Sequence, residues 1–281
     1  MKIIPLAFDS MGSRSMATYV ETGDVKVLID PGVSLSPNRF KLSPHPREVR
    51  RMKKQWRDIK RHAKRSDVLV VTHYHYDHHD PDEVDIYRDK IVMLKHPHEY
   101  INRSQISRSK YFLKNLEGLP QKIYFSDNKK FSFNETTIKF SEPMPHGLHD
   151  RLGYVTEVLM MDGRTNTKFI HTSDVLGPCT GKQTEFIIDE NPEVVFTDGP
   201  MNFTLKPAVE NLSRIIRETD VKKLIIDHHL LRDINWRNRI REVFTVAEKE
   251  GGKTKIMTAA KFAGKKNDLF EAGRKELYGL L

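Results

Sequence analysis

Thr72-His73-Tyr74-His75-Tyr76-Asp77-His78-His79 follows directly on Asp67-Val68-Leu69-Val70-Val71, and the junction of the two decides the fold. The β-branched run predicts a short strand buried on both faces. Where such a strand leaves its sheet, loops build sites. His73 and His75 stand two apart and project to the same side of extended backbone. Two neutral imidazoles so placed chelate one borderline-soft ion such as zinc. Asp77 and His78 fall where the chain is expected to turn into a helix, with Pro81 near its first turn, and so face a different point. That arrangement suits a second ion, since the ions of two-metal hydrolytic sites stand roughly 3.5–4 Å apart. A histidine-rich surface loop is the plainer alternative, but it does not explain why an apolar strand should end in so many ligand-type side chains.

One motif cannot complete two coordination spheres, so further ligands are expected at later strand ends. Three such ends follow. Thr136-Thr137-Ile138-Lys139-Phe140 leads to His146-Gly147-Leu148-His149, Thr167-Lys168-Phe169-Ile170 to His171-Thr172-Ser173-Asp174, and Val221-Lys222-Lys223-Leu224-Ile225-Ile226 to Asp227-His228-His229.

The HxHxDH pattern at 73–78, followed by a later His, a later Asp and a last His, resembles the metallo-β-lactamase superfamily of metal-dependent hydrolases, from Asp30 to His228. The resemblance implies an α/β fold, a four-layer αββα sandwich with two mixed sheets packed face to face, helices outside and the metals at one edge. It also implies two divalent ions, zinc first, with manganese or iron as alternatives. Carried over by position, His73, His75 and His146 are ligands of one ion, Asp77, His78 and His228 of the other, and Asp174 bridges both. His149 competes with His146, which is favoured because it stands just before Gly147 as in the family pattern. His229 competes with His228, whose spacing to Arg232 is similar to that of the tRNA 3′-processing branch. His79 reads as a neighbour of the site, hydrogen-bonded or facing solvent. Val25-Lys26-Val27-Leu28-Ile29-Asp30-Pro31-Gly32 resembles the superfamily's first motif, in which the Asp accepts a hydrogen bond from a ligand histidine and fixes its tautomer. A turn-initiating Asp before Pro-Gly is the alternative.

Composition agrees. A chain of 281 residues with 38% hydrophobic content can bury a large core. Residues 1–281 are expected to form one domain with a basic helical insertion at about 34–66. Its single cysteine, Cys179, leaves no disulfide pair and no cysteine-based zinc site, so His and Asp must hold any metal. Cys179 itself reads as a structural thiol. No apolar run reaches the length of a membrane span or a signal peptide, from which a cytoplasmic protein is expected. Strands are expected near 3–8, 16–21, 25–30, 136–142, 153–161, 167–171, 193–197 and 221–226, and helices at 211–218 and 236–250. Leu269, Phe270, Leu277, Tyr278, Leu280 and Leu281 could pack within the chain or on a partner, and the oligomeric state is open.

Charge is concentrated. Between Ser34 and Ser66, twelve basic residues face only Glu48 and Asp58, a net +10 in a chain whose total is +9. From Pro46 to Ser66 the segment reads as a helix with Val49, Met52, Trp56, Ile59 and Ala63 on its apolar stripe. Its outer face is either simply solvated or a surface for a polyanion such as nucleic acid. A second helix after Pro97 carries Arg103, Arg108, Lys110 and Lys114, interleaved with Tyr111 and Phe112 and preceded by Tyr100, where bases could stack.

The reading that results is a hydrolase in which two metals generate hydroxide near neutral pH. Asp77, Asp174 and His229 are expected to carry the reaction, with Arg232 and His149 near the substrate. His149, His229 and His171 are the candidates for protonating the leaving group, although His171 is expected to be buried and hydrogen-bonded. A phosphodiester or nucleic-acid-like substrate is favoured by the basic segment. The alternatives are a small-molecule esterase, lactonase or thioesterase, and a nucleic-acid-binding protein with structural metals. Redox diiron members of the superfamily usually carry a carboxylate at the place of His75, which disfavours oxidoreductase chemistry. Residues 147–173 are too few for the large cap of the RNA-cleaving branches. What remains is similar to stand-alone archaeal and other prokaryotic members.

Overall fold

Val68, Leu69, Val70 and Val71 are all fully buried, as a strand covered on both faces requires. They form β4 (Val68–Val71) of a six-stranded sheet whose other strands are β1 (Lys2–Pro5), β2 (Thr18–Glu21), β3 (Lys26–Ile29), β5 (Ile91–Leu94) and β6 (Lys122–Phe125), in the order β1-β2-β3-β4-β5-β6. β1 to β3 are antiparallel and β3 to β6 parallel. The second sheet, in the order β15-β14-β13-β12-β11-β8-β7, contains β7 (Lys130–Phe133), β8 (Thr136–Phe140), β11 (Val158–Asp162), β12 (Thr167–His171), β13 (Val194–Thr197), β14 (Lys223–Ile226) and β15 (Lys255–Met257). β12 to β15 are parallel. A two-stranded ribbon, β9 (Met144–Pro145) with β10 (Tyr154–Val155), stands apart. This computed structural model describes residues 1–280.

The two-residue period of the strands sorts side chains into layers. Val68 and Val70 pack between the sheets with Val27, Ile29, Phe140, Phe169 and Phe196. Leu69 and Val71 point the other way, against Ile59 and Ala63 of α1 (Pro46–Arg65) and Phe112 and Leu116 of α2 (Arg103–Leu116). On the far side, Ile170, Val195, Leu224 and Ile226 meet α3 (Gly181–Glu190), α4 (Leu205–Glu218) and the later helix α6 (Arg241–Lys249). The expected αββα sandwich is the observed one.

Several local expectations fail for identifiable reasons. No helix follows Asp77. The chain turns at once, His78 N donating to His75 O at 3.0 Å, and Asp80 then draws the N–H groups of Asp82 and Glu83 onto its carboxylate. Such local side-chain bonds compete with helix formation. Only a short 3-10 turn, Val84–Tyr87, forms beyond Pro81. The expected strand at 153–161 breaks at Thr156-Glu157, where pairing changes from β9 to β8. The helix expected at 236–250 is divided into α5 (Trp236–Arg239) and α6 by Ile240, which turns fully into the core at φ −111°. Two short helices, α7 (Ala259–Phe262) and α8 (Arg274–Leu277), complete the chain. Of the C-terminal apolar residues, Phe270 is buried under Arg47 and Arg51, Leu280 is exposed, and Leu281 lies outside the described residues.

The segment 34–66 also divides. Its helix, α1, is the crossover between the parallel strands β3 and β4, with Glu48, Gln55 and His62 buried beside Ile59 and Ala63. It therefore starts at the edge where those strands end and runs back along the outer face, about 30 Å over its twenty residues. Most of its basic face is carried away from that edge. Cys179 is buried, and burial pushes its thiol up to about 12, fitting a structural role.

Glu157, at the break before β11, is fully buried with neither carboxylate oxygen hydrogen-bonded. Burial first, and then the charge of Asp198, push its pKa well above 4.5. The folded protein therefore keeps the proton while the unfolded chain loses it, so this residue's contribution to stability declines as pH rises above about 4.5. Glu157→Gln is expected to gain in melting temperature over the parent as pH goes from 5 to 8. An unchanged difference at the two pH values would contradict this.

Candidate metal centre

The C-terminal ends of the parallel strands lie at one edge of the sandwich, the usual place for sites in such sheets. β3 delivers Asp30 there, β4 the 73–79 loop, β12 Asp174, β13 Asp198 and β14 His228 and His229, while the ribbon β9–β10 brings His146. The seven expected ligands converge. His73, His75, His146 and Asp174 form one group able to hold a cation, and Asp77, His78 and His228 another. Asp174 joins them. Its Oδ2 lies 3.3 Å from His146 Nε2 and 3.7 Å from His73 Nε2, and its Oδ1 lies 3.1 Å from His78 Nε2 and 3.5 Å from His228 Nε2. His228 Nε2 is also 3.5 Å from Asp77 Oδ2.

The donors fit divalent ions by their chemistry and by what they lack. His73 Nε2, His78 Nε2 and Asp174 Oδ1 are buried with no hydrogen-bond partner. A buried polar atom left so costs about 1–3 kcal/mol, and a cation held among them would satisfy all three.

Carboxylates hold the histidines from behind. Asp30 Oδ2 lies 2.8 Å from His78 Nδ1, and the same carboxylate accepts from Thr72 N and Oγ1 at 2.8 and 2.7 Å. Asp9 Oδ2 lies 2.5 Å from His228 Nδ1, and Asp198 Oδ2 lies 2.8 Å from His229 Nδ1. Each contact turns the Nε2 of its imidazole toward the cluster, as carboxylate partners of ligand histidines do. Sequence reasoning missed Asp9 and Asp198. Asp198 ends an apolar strand, the same signal that marks Asp30, whereas Asp9 has no local signal. Asp30, Ser173 and His228 all adopt left-handed backbone, at φ 50°, 58° and 41°, a strained state for non-glycine residues that collects at functional sites. At Gly32 a Cβ would lie 2.2 Å from His79 N, so the motif loop packs on a position open only to glycine.

Electrostatics follow the geometry. Burial holds His73 well below its ordinary value and His75 down at about 3, so both stay neutral with lone pairs available. Burial also opposes charge on His78, yet Asp174 and Asp30 outweigh it and lift the pKa to about 10. Asp174 stays well below the usual carboxylate range because His78, His228 and His229 overcome its burial. A proton thus resides where an ion's charge would be welcome, and protons and metal compete.

Other expected residues divide. His149 is exposed and stands outside the cluster, so it does not replace His146 as a candidate ligand. His171 is buried and occupied, with Nε2 2.9 Å from Met16 O and Nδ1 accepting from Ser173 N, and drops out as a leaving-group acid. His79 does not face solvent but is buried against Phe112, with Nδ1 3.0 Å from His75 O. His229 Nε2 is 3.8 Å from Asp174 Oδ2, and with Asp174 and His228 it forms a further group able to hold a cation, so both histidines remain candidates for the last ligand. Arg232 is engaged rather than free, its Nε on Asp9 Oδ1 at 3.2 Å and its Nη2 on His228 Nε2 at 3.1 Å.

His229 and Arg232 also line a cleft of about 550 Å³ whose walls carry Arg14, Arg39 and Arg239 with the exposed rings of Phe40 and Phe203. Positive charge in this cleft thus comes from arginines outside α1. In α2, Phe112 faces the core, while Arg108 lies over the Tyr76 ring at 4.7 Å.

A family model described as the Metallo-beta-lactamase superfamily matches residues 12–78, including Asp30 and the 73–78 motif. A UPF0282 protein of Korarchaeum cryptofilum is 45% identical over 290 residues, covering 100% of this chain and 95% of the relative. The chain belongs to the UPF0282 family, within the metallo-β-lactamase superfamily. The metallo-β-lactamase fold protein YhfI of Bacillus subtilis superposes on this UPF0282 chain with a TM-score of 0.55 at 15% identity, covering 95% and 97% of the two chains. Human tRNase Z, short form, does so with a TM-score of 0.50 at 13% identity, covering 81% and 92%. These likenesses establish the fold that the UPF0282 chain shares with them. Among the described residues, no helix is long and apolar enough to cross a membrane.

Proposed function

We propose that this chain, acting as one domain, is a metal-dependent hydrolase of phosphodiesters. In this reading His73, His75, His146 and Asp174 hold one divalent ion, and Asp77, His78, His228 and Asp174 hold a second, with zinc matching the imidazole-carboxylate donor set best. When bound, such ions supply a water of lowered pKa and polarise the reacting oxygen. The observation that carries the proposal is Asp174, which offers one oxygen to each ligand group beside an arginine-lined cleft.

The chain's own residues then have distinct tasks. Asp30 and Asp9 fix the rings of His78 and His228. Were His228 to hold an ion, Arg232 would give up its contact with His228 Nε2, and its guanidinium would be free to pair with a phosphate oxygen, a geometry it matches well. His229 faces the cluster through Nε2 and is held neutral by burial and by Arg232, so to protonate the leaving oxygen from Nε2 it would take up a proton at Nδ1 from Asp198, whose carboxyl burial and Asp174 raise to about 8. The cleft suits a phosphodiester better than a neutral ester, because Arg39 lines it without a carboxylate partner among the described residues and an anionic substrate would supply the counter-charge.

The test is an activity screen with zinc- and manganese-loaded protein. Hydrolysis of bis(p-nitrophenyl) phosphate, abolished by a chelator and restored by metal, is expected. Turnover confined to carboxylic esters, lactones or thioesters would overturn the substrate class. Nucleic-acid binding with no turnover of any substrate would overturn the enzymatic reading itself.

A further inference from the structure

Phe40 and Lys41 occupy the tip of a two-residue hairpin closed by reciprocal bonds between Arg39 and Leu42, each N donating to the other's O at 3.0 Å. Both tip residues have positive φ, 57° and 63°. Hairpins of this shape ordinarily use Asn and Gly, and a bulky aromatic residue in left-handed backbone is a costly choice. Its outcome is that Phe40, 44% exposed, is held out into the cleft beside the metal edge. Observed strain of this kind points to a functional demand on the position.

Around Phe40 the cleft is equipped for one kind of ligand. Phe203, 59% exposed, lines the same cleft and offers a second ring. Arg39 uses one Nη2 hydrogen to hold Arg232 O at 2.7 Å, and its Nε is buried without a partner. Arg239 spends Nη1 on Asp233 at 3.4 Å, and its Nη2 is likewise buried and unpartnered. Those two nitrogens are closed to solvent, but both guanidinium groups line the cleft, where a phosphate oxygen is the acceptor they pair with best. Arg14, another arginine of the cleft, is already neutralised by a two-pronged pair with Glu271 at 2.7 and 2.6 Å.

We infer that Arg39, Phe40, Phe203 and Arg239 form a nucleotide-recognition subsite, in which a base stacks on the aromatic rings and a phosphate other than the scissile one pairs with the two arginines. This rests on the proposed phosphodiesterase reading and specifies its substrate as one carrying a nucleotide beside the reacting phosphate. Neither arginine nor either ring belongs to the ligand cluster, so recognition and chemistry are separable. Arg39 and Lys275 already lie over the Phe40 ring, 4.7 and 5.2 Å from its centroid, so a base would stack on Phe203 and on the part of Phe40 that they leave exposed.

The experiment measures binding of adenosine 5′-monophosphate and of ribose 5-phosphate to metal-loaded protein by titration calorimetry. Both share the phosphate, and only the first has a ring. The parent protein is expected to prefer the nucleotide by roughly tenfold or more. Phe40→Gly removes the ring at a position whose backbone suits glycine, so the fold is retained, and it is expected to erase most of that preference. Arg39→Ala with Arg239→Ala is expected to weaken both ligands about tenfold. Equal affinity of the parent for the two ligands, or a preference untouched by Phe40→Gly, would overturn the subsite. Hydrolysis of bis(p-nitrophenyl) phosphate by the parent reports separately on the enzymatic reading. If that fails while the nucleotide preference holds, the subsite stands and the phosphodiesterase reading falls.

Discussion

Asp174→Ala is expected to lower phosphodiester hydrolysis by roughly a thousandfold or more. It is also expected to leave less than one tightly held divalent ion per chain. Asp174 is the one side chain with an oxygen toward each ligand group, Oδ2 to His73 and His146 and Oδ1 to His78 and His228. Without it, the five imidazoles of the two groups keep Asp77 as their one carboxylate, and two adjacent cations would lose the offset placed between them. Asp174 Oδ1 has no hydrogen-bond partner, and the carboxylate's close contacts are all with the cluster's histidines, so the fold does not depend on it. The variant should melt within a few degrees of the parent, which calorimetry can verify. Turnover within tenfold of the parent would show that the reaction does not run through this cluster.

The largest expected loss of stability is elsewhere. Arg274 and Glu48 are both fully buried and meet in a fork, Nε to Oε2 at 2.9 Å and Nη2 to Oε1 at 2.8 Å. Each is otherwise satisfied, Glu48 Oε2 accepting from His45 N at 2.8 Å and Arg274 Nη1 donating to Leu42 O at 3.0 Å. Arg274→Met leaves the Glu48 charge buried and unpaired and should cost about 3–5 kcal/mol. Replacing both partners, Glu48→Gln with Arg274→Met, should recover part of that, because the desolvated charge is gone. Denaturant unfolding measures both, and a loss below about 1 kcal/mol for the single variant would mean that the pair behaves as an exposed one. The pair also fastens the C-terminal segment to the start of α1. Glu271, three residues before Arg274, holds Arg14 at the cleft, so the same variant should loosen that wall.

The site was legible in sequence because its donors are encoded locally, each at the end of an apolar strand or a few residues beyond it. The 73–78 motif, His146, Asp174 and His228 all announce themselves in this way, and the layer order follows from Val68–Val71 being apolar on both faces. What was illegible depends on distant partners. Asp9 meets His228 across 219 residues, and no local pattern signals it. β5, β6, β7 and β15 are only three or four residues long, and Lys122, Lys130 and Lys255 blur their polarity. The helix expected after Asp77 fails because Asp80 captures the N–H groups that helix would need. The basic stretch at 34–66 reads as one surface in sequence, but topology separates Arg39, which reaches the cleft, from α1, which leads away from it.

Metal stoichiometry tests the central proposal most directly. Protein stripped with a chelator, reloaded with zinc and freed of excess metal should contain two ions per chain by elemental analysis. His75→Ala and His228→Ala should each remove one ion while leaving the other in place. One ion or none in the parent chain, or a count unmoved by either substitution, would contradict the two-metal account.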